Sequence, residues 1–261
     1  MEFKEVVGRR RSIRFFEPDK PVEREKIQTI LEAAHLASCA VNAQWLRAIV
    51  VERDNLPEEK LNQLKTPVAA LTLDLAPVHI YFFCDLGTVT RNKGGPLKEL
   101  VDVGALAPSH GWSHKFVDDF VYPQILEPMT KNREGYLAAA MADCGGAAHQ
   151  ALLTAFDEGL GACLNTPNPM LTKQVLGAPD DWVSIWVMLL GYPAESWEAG
   201  GQRPRPPFEE LYFEGDANTP FKRDPAVVER LKEAKMIQTP APLPGRKEEI
   251  RKLIERLGLP E

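Results

Sequence analysis

The stretch GRRRSIRFF, residues 8–16, gathers Arg9, Arg10, Arg11 and Arg14 near the start of a 261-residue chain whose formal net charge is −6. A bare run of charge is usually a solvated helix end. Two features set this one apart. Ser12 places a hydroxyl among guanidinium forks, a combination that suits an anion with several acceptor oxygens. Ile13, Phe15 and Phe16 then mark the segment as packed. A second basic pair, Arg203 and Arg205 in QRPRPP, lies far along the chain in backbone stiffened by prolines. Two stiff arginine clusters from distant parts of the sequence are suited to clasp one phosphate.

With 44% hydrophobic residues the chain can bury a substantial core, and its length fits one globular domain with appendages. The acidic balance argues against general nucleic-acid binding, which needs a broad basic field, so the expected anion is small. The opening MEFKEVVGRRR carries charge where a signal peptide needs an apolar stretch, so the expectation is a cytoplasmic protein. Cys39, Cys84, Cys144 and Cys163 are widely spaced, a pattern of reduced thiols. The apolar run 136–160 is interrupted by Asp143, His149, Gln150, Asp157 and Glu158 and does not read as a membrane span.

Around the arginines, residues 2–10 predict a short helix. Ile27, Ile30, Leu31 and Ala34 recur at helical spacing within an amphipathic helix over 22–37. RAIVVE (47–52), VHIYFFC (78–84), ACLN (162–165) and VSIWVMLLG (183–191) read as strands, the second too apolar to have a face in water. Residues 57–66 predict an exposed helix. Residues 135–161 form a long alanine-rich helix ended by Gly159; apolar nearly all round, it is expected to be buried on every side, at a domain centre or a dimer interface. Residues 86–134 read as a variable lid or insertion with aromatic helical pieces around Trp112, Phe116, Phe120 and Tyr122. The proline-rich stretch after Gly191 and a charged helix at 246–257 have little core of their own. The pattern fits an α+β sandwich with a mixed sheet.

Three further groups bear on chemistry. SCAVNAQWLRAIVV (38–51) sets Ser38, Asn42 and Gln44 together; turn formation accounts for most such residues, but amides can also read the edge of a heteroaromatic ring. GLGACLNTP (159–167) lacks the third glycine of a dinucleotide fingerprint and runs helix to strand, the reverse of what that mechanism requires. His110 and His114 are four apart but have no acidic third ligand at motif spacing, so no metal is expected. No catalytic nucleophile motif is present either, so an enzyme built on this chain needs a bound cofactor to carry the reaction.

In this order the pieces resemble the FMN-dependent nitroreductase family. RRRSIRFF with the following PVEREKIQTILEAAHLAS is similar to the family's Arg-Arg-Ser-x-Arg-x-Phe signature and its helix. SCAVNAQWLRAIVV resembles its Pro-Ser-x-x-Asn-x-Gln-Pro-Trp segment, with Ser38-Cys39 in place of Pro-Ser and Leu46 after Trp45. DCGGAAHQALLTAFDEGLGACLN resembles the central helix and its exit, and LLGYPAE with RPR the last core strand and terminal basic pair. The likeness spans about residues 8–52 and 140–207.

The resemblance implies a nitroreductase-like mixed central sheet flanked by helices, in an intertwined homodimer with FMN at the interface. By position, Arg10, Arg11, Ser12 and Arg14, joined by Arg203 and Arg205, would hold the FMN phosphate and ribityl chain. Cys39, Ala40 and Asn42 would come from the second subunit, with Gln44 near the same site, and Leu164, Asn165 and Thr166 would lie beside the flavin ring. The implied activity is two-step hydride transfer from NAD(P)H through flavin N5 to a nitroaromatic or quinone-like acceptor, with no catalytic side chain. Aromatics of the insertion would roof the substrate or pack into the core. Flavin fragmentation to dimethylbenzimidazole, reductive dehalogenation and non-catalytic flavin holding are the alternatives. The expected organisation is an FMN-binding domain over 1–215 and an extension over 216–261 that packs on the body or on a partner subunit.

Overall fold

The computed structural model describes residues 1–260. Its centre is β2 (Val78–Asp85), whose eight residues are all buried. Alternation along this strand feeds two cores. Ile80, Phe82 and Cys84 face one side of the sheet, and Tyr81 and Phe83 the other. Each fully buried side chain of this size adds about 1.5–3 kcal/mol relative to exposure. This is why a run of β-branched and aromatic residues becomes the middle of a sandwich.

The sheet has the order β1-β2-β4-β3, with β1 at Leu46–Glu52, β3 at Gly161–Asn165 and β4 at Trp182–Gly191. All three ladders are antiparallel: Leu46 lies opposite Cys84, Val78 opposite Leu190, and Gly161 opposite Gly191. The parallel component of the expected mixed sheet is a single bridge, Ser12 with Ala162. On one face pack α2 (Arg24–His35) and α9 (Arg133–Asp157). On the other lie the arginine segment after α1 (Phe3–Arg9), then α3 (Glu58–Leu64) and α4 (Ala70–Leu75). The helix expected to be exposed at 57–66 is exposed on one side only, since Leu61 and Leu64 of α3 are buried.

The insertion folds as α5 (Thr88–Asn92), α6 (Gly95–Asp102) and α7 (His114–Phe116), which runs into π-helical turns over Val117–Leu126 and then α8 (Glu127–Lys131). Val117, Val121 and Leu126 anchor it to the core. α10 (Pro169–Leu176) links β3 to β4. Beyond the sheet come α11 (Pro225–Glu233), which the sequence reading did not anticipate, and α12 (Arg246–Leu257). The chain between them passes so close to α1 that a Cβ on Gly8 would meet the Lys235 carbonyl oxygen at 2.1 Å.

One expectation changes. α9 is not buried on every side: Tyr136, Ala140, Cys144, Ala147, Ala151 and Ala155 face the core, whereas Met141, Ala142, Gly146 and His149 are exposed. A single chain therefore does not place this helix at a domain centre. Small side chains here give the exposed face little area to bury until something flat lies on it.

His79, on β2, is fully buried. Its Nε2 lies 3.0 and 3.1 Å from the carbonyls of Leu73 and Ala76, so the neutral ring donates there, and Nδ1 has no partner. Burial pushes its pKa from 6.5 down to about 4. The neutral form is the one the fold accepts, so its contribution is complete above about pH 6.5 and is lost as the pH falls toward 4. Denaturant midpoints measured from about pH 8 downward should fall below about pH 6.5, with His79 responsible for about 3 kcal/mol once protonated. In His79→Gln, whose amide can donate to the same carbonyls, that part of the slope should vanish; an unchanged slope would assign the acid sensitivity elsewhere.

Candidate functional site

The arginine segment runs as an extra rail beside β3 and the end of β4. Ile13 N–H donates to Ala162 O, Ala194 N–H to Phe15 O, and Glu17 N–H to Tyr192 O at 3.2, 2.9 and 2.9 Å. Gly161 permits the approach, because a Cβ there would sit 2.9 Å from Ile13. Ile13 and Phe16 are buried beneath the rail, so the arginines cannot be moved without disturbing a core.

The basic residues divide by what they touch. Arg9 pairs with Glu5 at 2.8 Å on α1. Arg11 turns inward and is nearly buried: it donates to Gly8 O at 2.6 Å and to Gln238 Oε1 at 2.8 Å, with Glu198 at 3.5 Å. It braces the segment against the C-terminal part of the chain. Arg10, Arg14, Arg203 and Arg205 form no carboxylate ion pair among the described residues. The last three bond only to the backbone carbonyls of Ser12, Ala199 and Pro204.

Successive pairs among the four repel one another: Arg10 with Arg205, Arg205 with Arg203, and Arg203 with Arg14. Burial lowers the proton affinity of Arg10, and Arg11 and Arg205 lower it further. Burial does the same to Arg203, followed by repulsion from Arg14 and Arg246; Glu195 partly offsets this, and Arg205 adds to the repulsion. Guanidinium groups do not deprotonate at ordinary pH, so the result is a set of uncompensated positive charges drawn from both ends of the chain. Half-buried Ser12 sits at their base, bridged to Ala162. Leu164, half-buried Asn165 and exposed Thr166 continue the same strand edge, and Asn165 Nδ2 donates to Cys163 Sγ at 3.2 Å.

The second expected set lies elsewhere. Cys39, Ala40, Asn42 and Gln44 form the approach to β1, at the opposite edge of the sheet from β3. Two strands intervene, which at about 4.8 Å per spacing puts the sets at least about 14 Å apart. Within one chain the two groups do not meet. The segment has unusual backbone: Val41, Asn42 and Gln44 have φ of 51°, 49° and 58° without a glycine among them. Such conformations cost about 1–3 kcal/mol each and concentrate at ligand-contacting sites. No feature of the sequence signalled them. They are held by Asp143, which accepts Ala40 N–H at 2.7 Å, and by Gln44 donating to Asn42 Oδ1 at 2.7 Å. A cavity of about 240 Å³ opens beside the segment, walled by Leu31, Cys39, Trp45, Phe82 and Cys144.

In the insertion, Trp112 meets Phe116 edge-on and Phe116 stacks on Phe120, both at 5.5 Å. Phe116 and Phe120 are exposed, so they do not belong to the core. His114 bonds Asp102 and His110 bonds Ser109; among the described residues no three His, Cys, Asp or Glu side chains are arranged to hold a metal ion.

The Nitroreductase family model matches residues 7–78, the stretch from the arginine rail to the start of β2. Three solved structures share the architecture. A nitroreductase family protein from Streptococcus pneumoniae is 22% identical, with 82% of this chain and 100% of the other covered and a TM-score of 0.63. A protein from Exiguobacterium sibiricum, solved in complex with FMN, is 22% identical over 82% of this chain and 97% of that one, with a TM-score of 0.64. A candidate NAD(P)H:FMN oxidoreductase from Staphylococcus epidermidis is 21% identical over 82% and 95%, also with a TM-score of 0.64. This is the nitroreductase fold. No curated protein matches the sequence. The family match also runs through residues 53–77, which lie outside the motif likeness over 8–52.

Four uncompensated cations on a nitroreductase fold should be relieved by an anion. Phosphate added at constant ionic strength is expected to raise the melting temperature, with about 1.4 kcal/mol of added stability at ten times the dissociation constant. Arg203→Gln should remove most of that gain; an equal rise in the variant would place the anion elsewhere.

Proposed function

We propose that this chain is an FMN-dependent oxidoreductase that uses NAD(P)H to reduce nitroaromatic or quinone-like acceptors. The observation that carries the reading is the chain of mutual repulsion linking Arg10, Arg205, Arg203 and Arg14, none of which has a carboxylate ion pair among the described residues. A phosphomonoester near charge −2 fits that set, since each oxygen can take a charge-assisted hydrogen bond. FMN, once bound, supplies the capacity to take two electrons from a nicotinamide and release them to an acceptor.

The chain's own residues have three tasks. Arg10, Arg14, Arg203 and Arg205 hold the phosphate, Ser12 lies below it, and Arg11 fixes the rail from behind. Leu164, Asn165 and Thr166 line the strand edge against which the ring would rest. Cys39, Ala40, Asn42 and Gln44 complete the site from a second copy. Separation of the two residue sets across the sheet and the exposed small-residue face of α9 both support a homodimer. Residues 1–215 then make up the FMN-binding body and 216–261 the extension that braces it. Four free cysteines, three of them buried, fit a reducing cytoplasm.

The purified protein should be yellow, with about one FMN per chain, and should oxidise NADH or NADPH faster when a nitroaromatic is present. A colourless chain that FMN fails to titrate would contradict the assignment. Flavin binding without reduction by either nicotinamide would favour a flavin-holding role instead. Arg14→Ala and Arg205→Ala should each weaken FMN binding by about 1.5–3 kcal/mol, the range for hydrogen bonds to charged groups; unchanged retention in both would remove the arginines from the site.

A further inference from the structure

The buried carboxylate of Glu195 lies directly under the arginine rail. One oxygen, Oε1, accepts the backbone N–H groups of Arg14 and Phe15 at 2.5 and 3.0 Å. The other, Oε2, is met by Arg246 Nη2. Glu195 is 5% exposed, so water cannot replace either partner.

Arg246 is an unexpected residue to find there. It is the first residue of α12, and a cation at a helix N-terminus opposes the helix dipole. Its position is set from outside the helix. The aliphatic stem runs across Gly200, where an added Cβ would lie 3.1 Å from Arg246 Cγ. Arg246 Nη1 also donates to Glu249 at 2.9 Å, and Glu249 accepts Ser196 N–H at 2.6 Å. The first turn of α12 thus grips the chain at Glu195, Ser196 and Gly200, the stretch that leads into Arg203.

We propose that Arg246 is a positioning residue for the anion cradle, neutralising Glu195 so that Arg203 stays free for a phosphate. The argument rests on the FMN reading above. Glu195 is needed uncoupled from the cradle, because its hydrogen bonds fix the backbone from which Arg14 projects. Its charge is nevertheless a competitor, a buried anion within reach of Arg203, one of the arginines that are to bind phosphate. Arg203 feels both Glu195 and Arg246. With Arg246 present, the carboxylate has its own cation and Arg203 bonds only to Ala199 O. Without it, Arg203 is the cation left to pair with Glu195, and the phosphate loses a ligand while gaining a negative neighbour.

The test compares FMN with riboflavin, which lacks the phosphate, in binding to the full-length apoprotein. In wild type FMN should bind more tightly than riboflavin. Arg246→Gln should raise the Kd for FMN about tenfold, the size of one lost charge-assisted hydrogen bond, and leave riboflavin unchanged. Arg246→Lys should retain most of the FMN affinity. The double variant Glu195→Gln/Arg246→Gln should return FMN to within about twofold of wild type, because the Gln oxygen can still accept the two backbone N–H groups while the competing charge is gone. Undiminished FMN affinity in Arg246→Gln would overturn the proposal. So would equal losses for FMN and riboflavin, or a double variant no better than the single one, since either would make Arg246 a packing contact of α12. A wild type that binds FMN no more tightly than riboflavin would instead remove the phosphate cradle itself, and with it the need for this residue.

Discussion

Everything at the arginine site depends on holding like charges together without neutralising them. The backbone does this work. Residues 12–17 are bonded to β3 and to the end of β4 by three main-chain hydrogen bonds, and Ile13 and Phe16 are sunk into the core below. Repulsion among exposed guanidinium groups can swing side chains but cannot move a segment bonded along the sheet and sunk at Ile13 and Phe16 into the core beneath. The sheet is therefore the anvil of the site. It fixes one arginine cluster directly and the other through the turn that follows β4.

The topology explains why the proposed site would draw half its residues from each edge. β1 and β3 are the two outer strands, so residues leading into one and leaving the other face away across the sheet. In the proposed reading a second copy would resolve this without any new element, provided that some helix presents a surface flat enough to pair. α9 does so, with Ala142 and Gly146 on its exposed side, where small side chains allow close helix approach. The strained backbone at Val41, Asn42 and Gln44 belongs to the same logic. Positive φ in a β-branched residue persists only where the surroundings over-determine it, and such places are usually contacts with something else.

Much of this was legible in the sequence, for identifiable reasons. Strands β2 and β4 announce themselves because both their faces are covered and their residues are continuous and apolar. Helix α2 does so through its spacing. The arginine cluster stands out against an acidic background, and the resemblance suggests the phosphate role proposed for it. What stayed hidden depends on contacts distant in sequence. Arg11 looks like its neighbours in the run, yet its fate is decided by Glu198 and Gln238, nearly 200 residues and more away. Glu195 and Arg246 carry no signal in the sequence for the same reason. α9 reads as wholly buried because alanine does not say which side will be covered. α11 does carry a signal: Asp224 caps Ala226 N–H and Pro225 occupies the first turn, a start motif masked by the proline-rich stretch around it.

An acidic protein with a basic cradle raises a last electrostatic question, whether net charge −6 opposes the capture of a dianion. Screening decides it. At physiological salt the Debye length is about 8 Å, so carboxylates scattered over the outer surface contribute little at the rail. Arg10 and Arg203 are partly withdrawn from water, where screening is weaker and each contact acts at close to full strength. The carboxylate that acts on Arg203 is Glu195, and the fold already sets a cation from the far C-terminal helix against it. Local field and global charge can thus have opposite signs, because the range of the interaction is shorter than the radius of the protein.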